Sequence, residues 1–212
     1  MSIPPKLAEI LGPAYPCPEF DRACTEMRWE PKAGYVPRGF YGATGDLNEV
    51  ELILVVAEPG DPHSGEAHTG LSSAYEYAGT VLRAGQDLFH RNLKTIFDLC
   101  WPNEPIERQL RKVWLTESLL CSAKSEGAGV PMRSCKACAQ RYLLPQLKIF
   151  PNALVVACGN KARDRLEAVG FPNFLAVRAV APPGGNTPRA RESWKQIPVA
   201  LANRKKCISG AN

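Results

Sequence analysis

Leu52-Ile53-Leu54-Val55-Val56-Ala57 is a continuous run of β-prone residues closed by Glu58-Pro59-Gly60. An unbroken apolar run of this length, ended by a turn, is the pattern of a strand buried on both faces, as in a parallel sheet. Three later runs share it: Val113 to Ser118, Ala153 to Cys158 and Phe174 to Val180. Between the runs the sequence reads as helix over Ser73 to Leu99, Cys135 to Phe150 and Lys161 to Val169, with a last helix over Pro188 to Ala202. Strands alternating with helices predict an α/β protein, a three-layer α/β/α sandwich with a central four-stranded parallel sheet.

Residues 1–50, rich in Pro, Gly and aromatics, read as an irregular N-terminal cap, residues 51–203 as the domain, and 204–212 as a basic C-terminal tail. A chain of 212 residues with 45% apolar and 22% charged side chains can bury one sizeable core and is not a disordered segment. Its apolar runs stop at about six residues, far short of the roughly 20 that span a bilayer. The start, Met1-Ser2-Ile3-Pro4-Pro5-Lys6, has no apolar stretch of the secretory kind. A cytoplasmic monomer is the expectation. Eight cysteines in a reducing compartment then read as core thiols or metal ligands, not disulfides.

The net charge of +5 is unevenly spread: residues 161–212 carry ten Lys/Arg against three Asp/Glu, while residues 1–160 carry sixteen against eighteen. A face for an anionic polymer and a plain solvated surface both account for this. Neither G-x-x-x-x-G-K-[ST] nor G-x-G-x-x-G follows a strand, which sets aside the common nucleotide loops. Ligands of open α/β sheets bind beyond the carboxyl ends of the strands. The loops there contain Ala57-Glu58-Pro59-Gly60, Thr116-Glu117-Ser118, Cys158-Gly159-Asn160 and Val180 to Arg191. Glu58 is either an acid aimed by a rigid strand or a surface turn residue.

Taken in order, these segments resemble the uracil-DNA glycosylase superfamily, most nearly its iron–sulfur branch (family 4 and relatives), over about residues 50–200. Val56-Ala57-Glu58-Pro59-Gly60 is similar to the family's G-E-A-P-G, and Gly65-Glu66-Ala67-His68-Thr69-Gly70 to G-R-P-F-V-G. Thr116-Glu117-Ser118-Leu119-Leu120-Cys121 is similar to T-N-V-V-K-C. Cys138, Tyr142-Leu143 and Pro151 through Gly159 to Ala162 follow the family's cysteine, aromatic-Leu pair and P-x-V-V-V-x-L-G-x-x-A.

The resemblance implies a monofunctional DNA glycosylase that cleaves the N-glycosidic bond of uracil or another deaminated base in DNA and so initiates base excision repair. It places Glu58 as the catalytic acid group, stabilising the sugar cation and positioning water. Ala57, His68 and Glu117 would meet the base, and backbone N–H groups of Gly184, Gly185 and Asn186 its oxygen. Arg189, Arg191 and Lys195 would hold phosphates while the base leaves the stack.

The sequence also departs from the family pattern. Glu58 is longer than the Asp of several branches, and His68 stands where an aromatic stacks. Glu117 stands where Asn reads the base edge; if ionised, it accepts hydrogen bonds only. Ala181-Pro182-Pro183 replaces His-Pro-Ser, and no histidine follows His90. A noncatalytic module of the same fold, binding DNA damage or single strands, is the alternative.

The iron–sulfur branch further implies a [4Fe–4S] cluster, with Cys17, Cys24, Cys121 and Cys138 as ligands. Cys135, in the chain's only C-x-x-C, is an alternative to Cys138, and zinc or no metal remain open. Cys100, Cys158 and Cys207 read as buried or incidental thiols, and His63 and His90 as structural.

Overall fold

The computed structural model describes residues 2–125 and 129–209. Five strands, β1 (Tyr41–Gly42), β2 (Leu52–Val56), β3 (Val113–Glu117), β4 (Leu154–Cys158) and β5 (Leu175–Val177), form one sheet in the order β1-β3-β2-β4-β5. The four expected runs pair in parallel, with Leu52 opposite both Val113 and Leu154, and Val156 opposite Leu175. Every residue of β2, β3 and β4 is buried, which is why β2, β4 and the first three residues of β3 are apolar without alternation, Thr116 and Glu117 being the buried polar end of β3.

The expectation of four strands is corrected by β1, which pairs antiparallel with β3 through Tyr41 and Leu115. Two residues carry no period, so this edge strand left no sequence signal. Gly42 makes it fit: φ is +120°, and a Cβ there would overlap the Val113 carbonyl oxygen.

The helices are α1 (Pro5–Leu11), α2 (Leu71–Ala84), α3 (Leu88–Cys100), α4 (Ile106–Lys112), α5 (Met132–Cys138), α6 (Leu144–Ile149), α7 (Asn160–Ala168), α8 (Pro188–Trp194) and α9 (Gln196–Ser209). Helices α1, α5, α6 and α7 pack as one layer and α2, α3, α8 and α9 as the other, with the sheet between. On the first side Trp114 Nε1 and Thr116 Oγ1, both buried on β3, donate to Gln146 Oε1 of α6 at 2.9 Å each. A shared acceptor satisfies two buried donors that would otherwise destabilise the core.

The single helix expected over Ser73 to Leu99 is two. Gly85 ends α2 in a left-handed conformation with its N–H on the Val81 carbonyl, and the Asp87 side chain caps α3 by accepting from the His90 N–H. The helix expected over Cys135 to Phe150 begins earlier, at Met132, and contains a π-turn over Ala139–Leu143. The helix expected over Pro188 to Ala202 divides at Lys195.

The N-terminal segment is more regular than expected: α1 buries Leu7 and Leu11 and packs on α6. The basic tail is likewise no tail through Ser209, because α9 continues to that residue. Arg204 donates to the Asn152 and Pro151 carbonyls at 2.8 and 3.0 Å, and Lys205 pairs with Glu51 at 2.7 Å. Residues 210–212 lie outside the described residues, as does the side chain of Cys207. No helix among the described residues is long and apolar enough to cross a membrane.

After β2 the chain pairs β3 on one side of it, then crosses to β4 on the other. The order of connection therefore reverses around β2, and a crevice is expected beyond that strand's carboxyl end.

Candidate active site

That crevice is present. Glu58 follows β2, Glu117 ends β3, Cys158 ends β4 and Ala179, Ala181 and Pro182 follow β5, and all of them line one cleft of about 570 Å³. Its size falls among pockets that take small molecules, about 300–1,000 Å³. On the far side of Glu58 the trough continues past Ser122, Lys161 and Gly184. A separate depression, between Glu104, Glu107 and Arg108, lies near Lys112 at the opposite ends of the strands, and its Arg111–Glu49 and Lys112–Glu104 pairs are closed.

Glu58 is held by α7. Its Oε1 accepts from Lys161 Nζ, and Arg165 Nη2 lies 2.6 Å from Oε2. Arg165 is buried and also donates to the Ala57 carbonyl at 2.7 Å and to Ser118 Oγ at 3.0 Å. Two cations thus hold the Glu58 carboxyl in place on the cleft wall. The Ala57 carbonyl accepts from Ser118 Oγ and the Leu119 N–H as well, so it is already committed within the protein.

Glu117 is enclosed at the end of β3. It is 4% exposed, and its enclosed Oε2 has no hydrogen-bond partner. Burial, and next the nearby Glu58 charge, push its carboxyl well above the usual range against the opposing pull of Arg38 and Arg165. The two acids thus differ in surroundings: Glu58 is paired with two cations, whereas Glu117 makes no ion pair among the described residues.

His68 does not reach the cleft. Its side chain is 1% exposed, with Nε2 2.8 Å from Glu66 Oε1, and its ring meets Tyr77 edge-on. Glu66 in turn lies 3.4 Å from Arg38 Nε and accepts from the His63 N–H. The rings that do line the cleft are Tyr77, Phe89, His63 and His90. His63 and His90, read from sequence as structural, come together there. His90 Nδ1 is 2.5 Å from Asp87 Oδ2, while His63 Nδ1 is 2.9 Å from the Tyr77 hydroxyl. Burial raises the Asp87 carboxyl, but the backbone and ring N–H groups of His90 outweigh it and hold it low. The sequence signal was the capping Asp three residues before a histidine, at a break that apolar spacing conceals.

Arg38 was also missed. It is 8% exposed on the cleft floor and donates to Ser122 Oγ at 2.9 Å and to the Gly60 carbonyl at 2.5 Å.

The loop after β5 corrects a further expectation. The Gly185 N–H donates to the Ala181 carbonyl at 2.8 Å and the Asn186 N–H to the Pro183 carbonyl at 3.2 Å. Of the three, Gly184 at the exposed rim is left without a backbone acceptor among the described residues. Arg189 and Arg191 are exposed on α8, whereas Lys195 pairs with Glu192 at 2.7 Å.

The four cysteines expected to act together do meet. Cys17, Cys24, Cys121 and Cys138 line one enclosed pocket with Phe20, Pro37, Leu119, Leu120 and Tyr142. The Leu120 N–H points at Cys138 Sγ at 3.5 Å, and the Tyr142 hydroxyl, from the π-turn, is 3.2 Å from Cys17 Sγ. Burial pushes the Cys24 thiol up to about 11 and Cys138 to about 12. Four thiols, one N–H and one O–H thus share this pocket, which Glu19 also lines, while no three His, Cys, Asp or Glu side chains among the described residues are arranged to hold a metal ion. Cys135 does not line this pocket; burial pushes its thiol up against the opposing pull of Arg165.

Neither protein-family models nor curated proteins match this chain.

Proposed function

We propose that the protein is a cytoplasmic, monomeric DNA glycosylase of the uracil-DNA glycosylase superfamily that releases uracil or another deaminated base, the first step of base excision repair. The observation that carries this reading is Glu58, held by two cations at the reversal point of the sheet, on a cleft shared with Glu117 and the Asp87–His90 pair.

Breaking an N-glycosidic bond leaves positive charge on the sugar and negative charge on the base. Glu58 stabilises the first and orients the water that attacks the anomeric carbon. His90 holds Asp87 through Nδ1, so Nε2 remains to meet the base, accepting from a base N–H in the neutral ring or donating to the base oxygen in the doubly protonated one, a role left open by Ala181-Pro182-Pro183. Extruding the base costs a few kcal/mol. Phosphate contacts from Arg189 and Arg191 offset that cost.

Cys17, Cys24, Cys121 and Cys138 would hold a [4Fe–4S] cluster, which supplies a cross-link from the N-terminal segment to the β3 loop and the π-turn. Zinc on the same four thiols, or no metal, are the alternatives, which iron and zinc analysis of the purified protein distinguishes.

One observation favours the noncatalytic alternative: Lys161 and Arg165 occupy both Glu58 oxygens. Incubating the protein with oligonucleotides carrying uracil, hypoxanthine or xanthine, then probing for alkali-labile abasic sites, tests the choice. Abasic sites support the enzyme. Lesion-selective binding with intact bases assigns the module.

A further inference from the structure

The two cations on Glu58 are held in different ways. The Arg165 side chain is only 5% exposed, and its guanidinium is shared between Glu58, the Ala57 carbonyl and Ser118 Oγ, so that moving it would break several contacts at once. The Lys161 side chain is 47% exposed, and its ammonium rests on Glu58 Oε1. Lys161 is also the second residue of α7, at the end of a helix where a positive charge is unfavourable. An exposed ion pair of this kind contributes little and is screened by salt. Glu58 Oε2 is enclosed against Arg165. The edge of Glu58 left for a ligand is therefore Oε1, and Lys161 covers it.

Lys161 stands where the cleft passes into the trough, a space of about 730 Å³ lined further along by Asn160, Arg178, Pro183 and Gly184. Arg178 follows β5, and α8 fixes its backbone: its N–H donates to Ser193 Oγ at 3.0 Å, and its carbonyl accepts from Trp194 Nε1 at 3.1 Å. Its side chain is exposed and pairs with no acid among the described residues. The acids of the trough are Glu58, which Arg165 also holds, and Asp61, which accepts from the Tyr35 hydroxyl at 3.1 Å. Once Lys161 turns from Glu58, two cations face this space.

We propose that the trough seats a phosphodiester group of the strand whose base enters the cleft, and that Lys161 passes from Glu58 to this phosphate on binding and so uncovers Glu58 Oε1. The proposal rests on the DNA-binding reading above and adds a regulation of the same site: Glu58 is covered in the free protein and bared where a strand lies. The ammonium exchanges one anionic partner for another, so the move leaves no unpaired cation behind. Arg165 stays as the positioning residue. On this account the two ion pairs of the free protein are compatible with an active Glu58.

The test measures binding of an oligonucleotide carrying 2′-fluoro-2′-deoxyuridine, whose glycosidic bond resists cleavage, at several salt concentrations. It compares wild type, Glu58→Gln, Lys161→Met, Lys161→Arg and the double variant Glu58→Gln with Lys161→Met. Glu58→Gln releases Lys161 in advance and is expected to bind about two- to fivefold tighter than wild type, the scale of one exposed ion pair. That gain is expected to vanish when Lys161 is Met in both proteins compared. Lys161→Met should also lower the log-log salt slope by about 0.7–0.9, the share of one phosphate contact, and Lys161→Arg should restore it. No gain, or a gain that persists without Lys161, overturns the exchange. An unchanged slope in Lys161→Met overturns it too, since Lys161 then holds no phosphate. A wild type without affinity for the oligonucleotide overturns the DNA-binding reading itself, and the exchange with it.

Discussion

Asp87 Oδ2 lies 2.5 Å from His90 Nδ1 across the first turn of α3, and both residues line the cleft that also holds Glu58 and Glu117. An imidazole oriented through one nitrogen presents the other in a fixed direction. His90→Gln should therefore lower single-turnover excision by about 10²-fold, the lower end for a positioned proton donor. Asp87→Asn should lower it less while leaving DNA affinity unchanged, and equal rates for all three proteins would remove the dyad from the reaction.

Glu58→Gln keeps the shape of the side chain and removes the charge. Excision is expected to fall by about 10²-fold or more, with binding of the lesion strand retained. Rapid-quench measurements separate the two quantities. Unaltered excision would leave Glu58 as a structural partner of Lys161 and Arg165.

The raised Glu117 carboxyl also has a stability signature. Its contribution to folding is complete below the ordinary carboxylate range and is lost as pH rises through the folded value, because ionisation is disfavoured only in the native state. Glu117→Gln cannot ionise, so its stability relative to wild type should grow between pH 5 and pH 8. Denaturant melts at both ends of that range measure the trend; a gap that shrinks as pH rises contradicts a buried neutral acid.

Protein prepared without oxygen should be brown, with broad absorption near about 400 nm from thiolate-bound iron. Cys138→Ser should abolish the colour and Cys135→Ser should keep it, since only Cys138 lines the pocket. The opposite pattern, a brown Cys138→Ser and a colourless Cys135→Ser, would reverse the ligand choice.

Arg189→Ala with Arg191→Ala should weaken DNA binding and flatten its salt dependence by roughly 0.7–0.9 in log-log slope for each phosphate that is no longer neutralised. Titrations at several salt concentrations decide it, and an unchanged slope would move the DNA face away from α8.

β2, β3, β4 and the place of Glu58 were legible because a doubly buried strand is largely apolar and the reversal of connection follows from strand order, whereas the run from Phe174 to Val180 yields only the three-residue, partly exposed β5. The edge strand at Tyr41 was not, since two residues have no period. The place of His90 on the cleft was not legible because it depends on Gly85 and Asp87 interrupting a helical pattern that otherwise runs on. The state of Glu117 depends on Gly39, Glu58 and Arg38, which only the fold brings together. The cysteine set was recoverable only through a family resemblance. Choosing Cys138 over Cys135 required knowing which face of the helix leading into the π-turn meets the N-terminal segment.

The interruption at Gly85 also governs the dimensions of the molecule. An unbroken helix over residues 71–100 would be about 45 Å long at 1.5 Å per residue. Five strands about 4.8 Å apart make a sheet only about 19 Å across. Such a rod would overhang its support and leave much of the stripe around Leu93, Ile96 and Phe97 in water. Doubling back at one left-handed glycine shortens the layer to the width of the sheet and turns the start of the second half toward the strand ends.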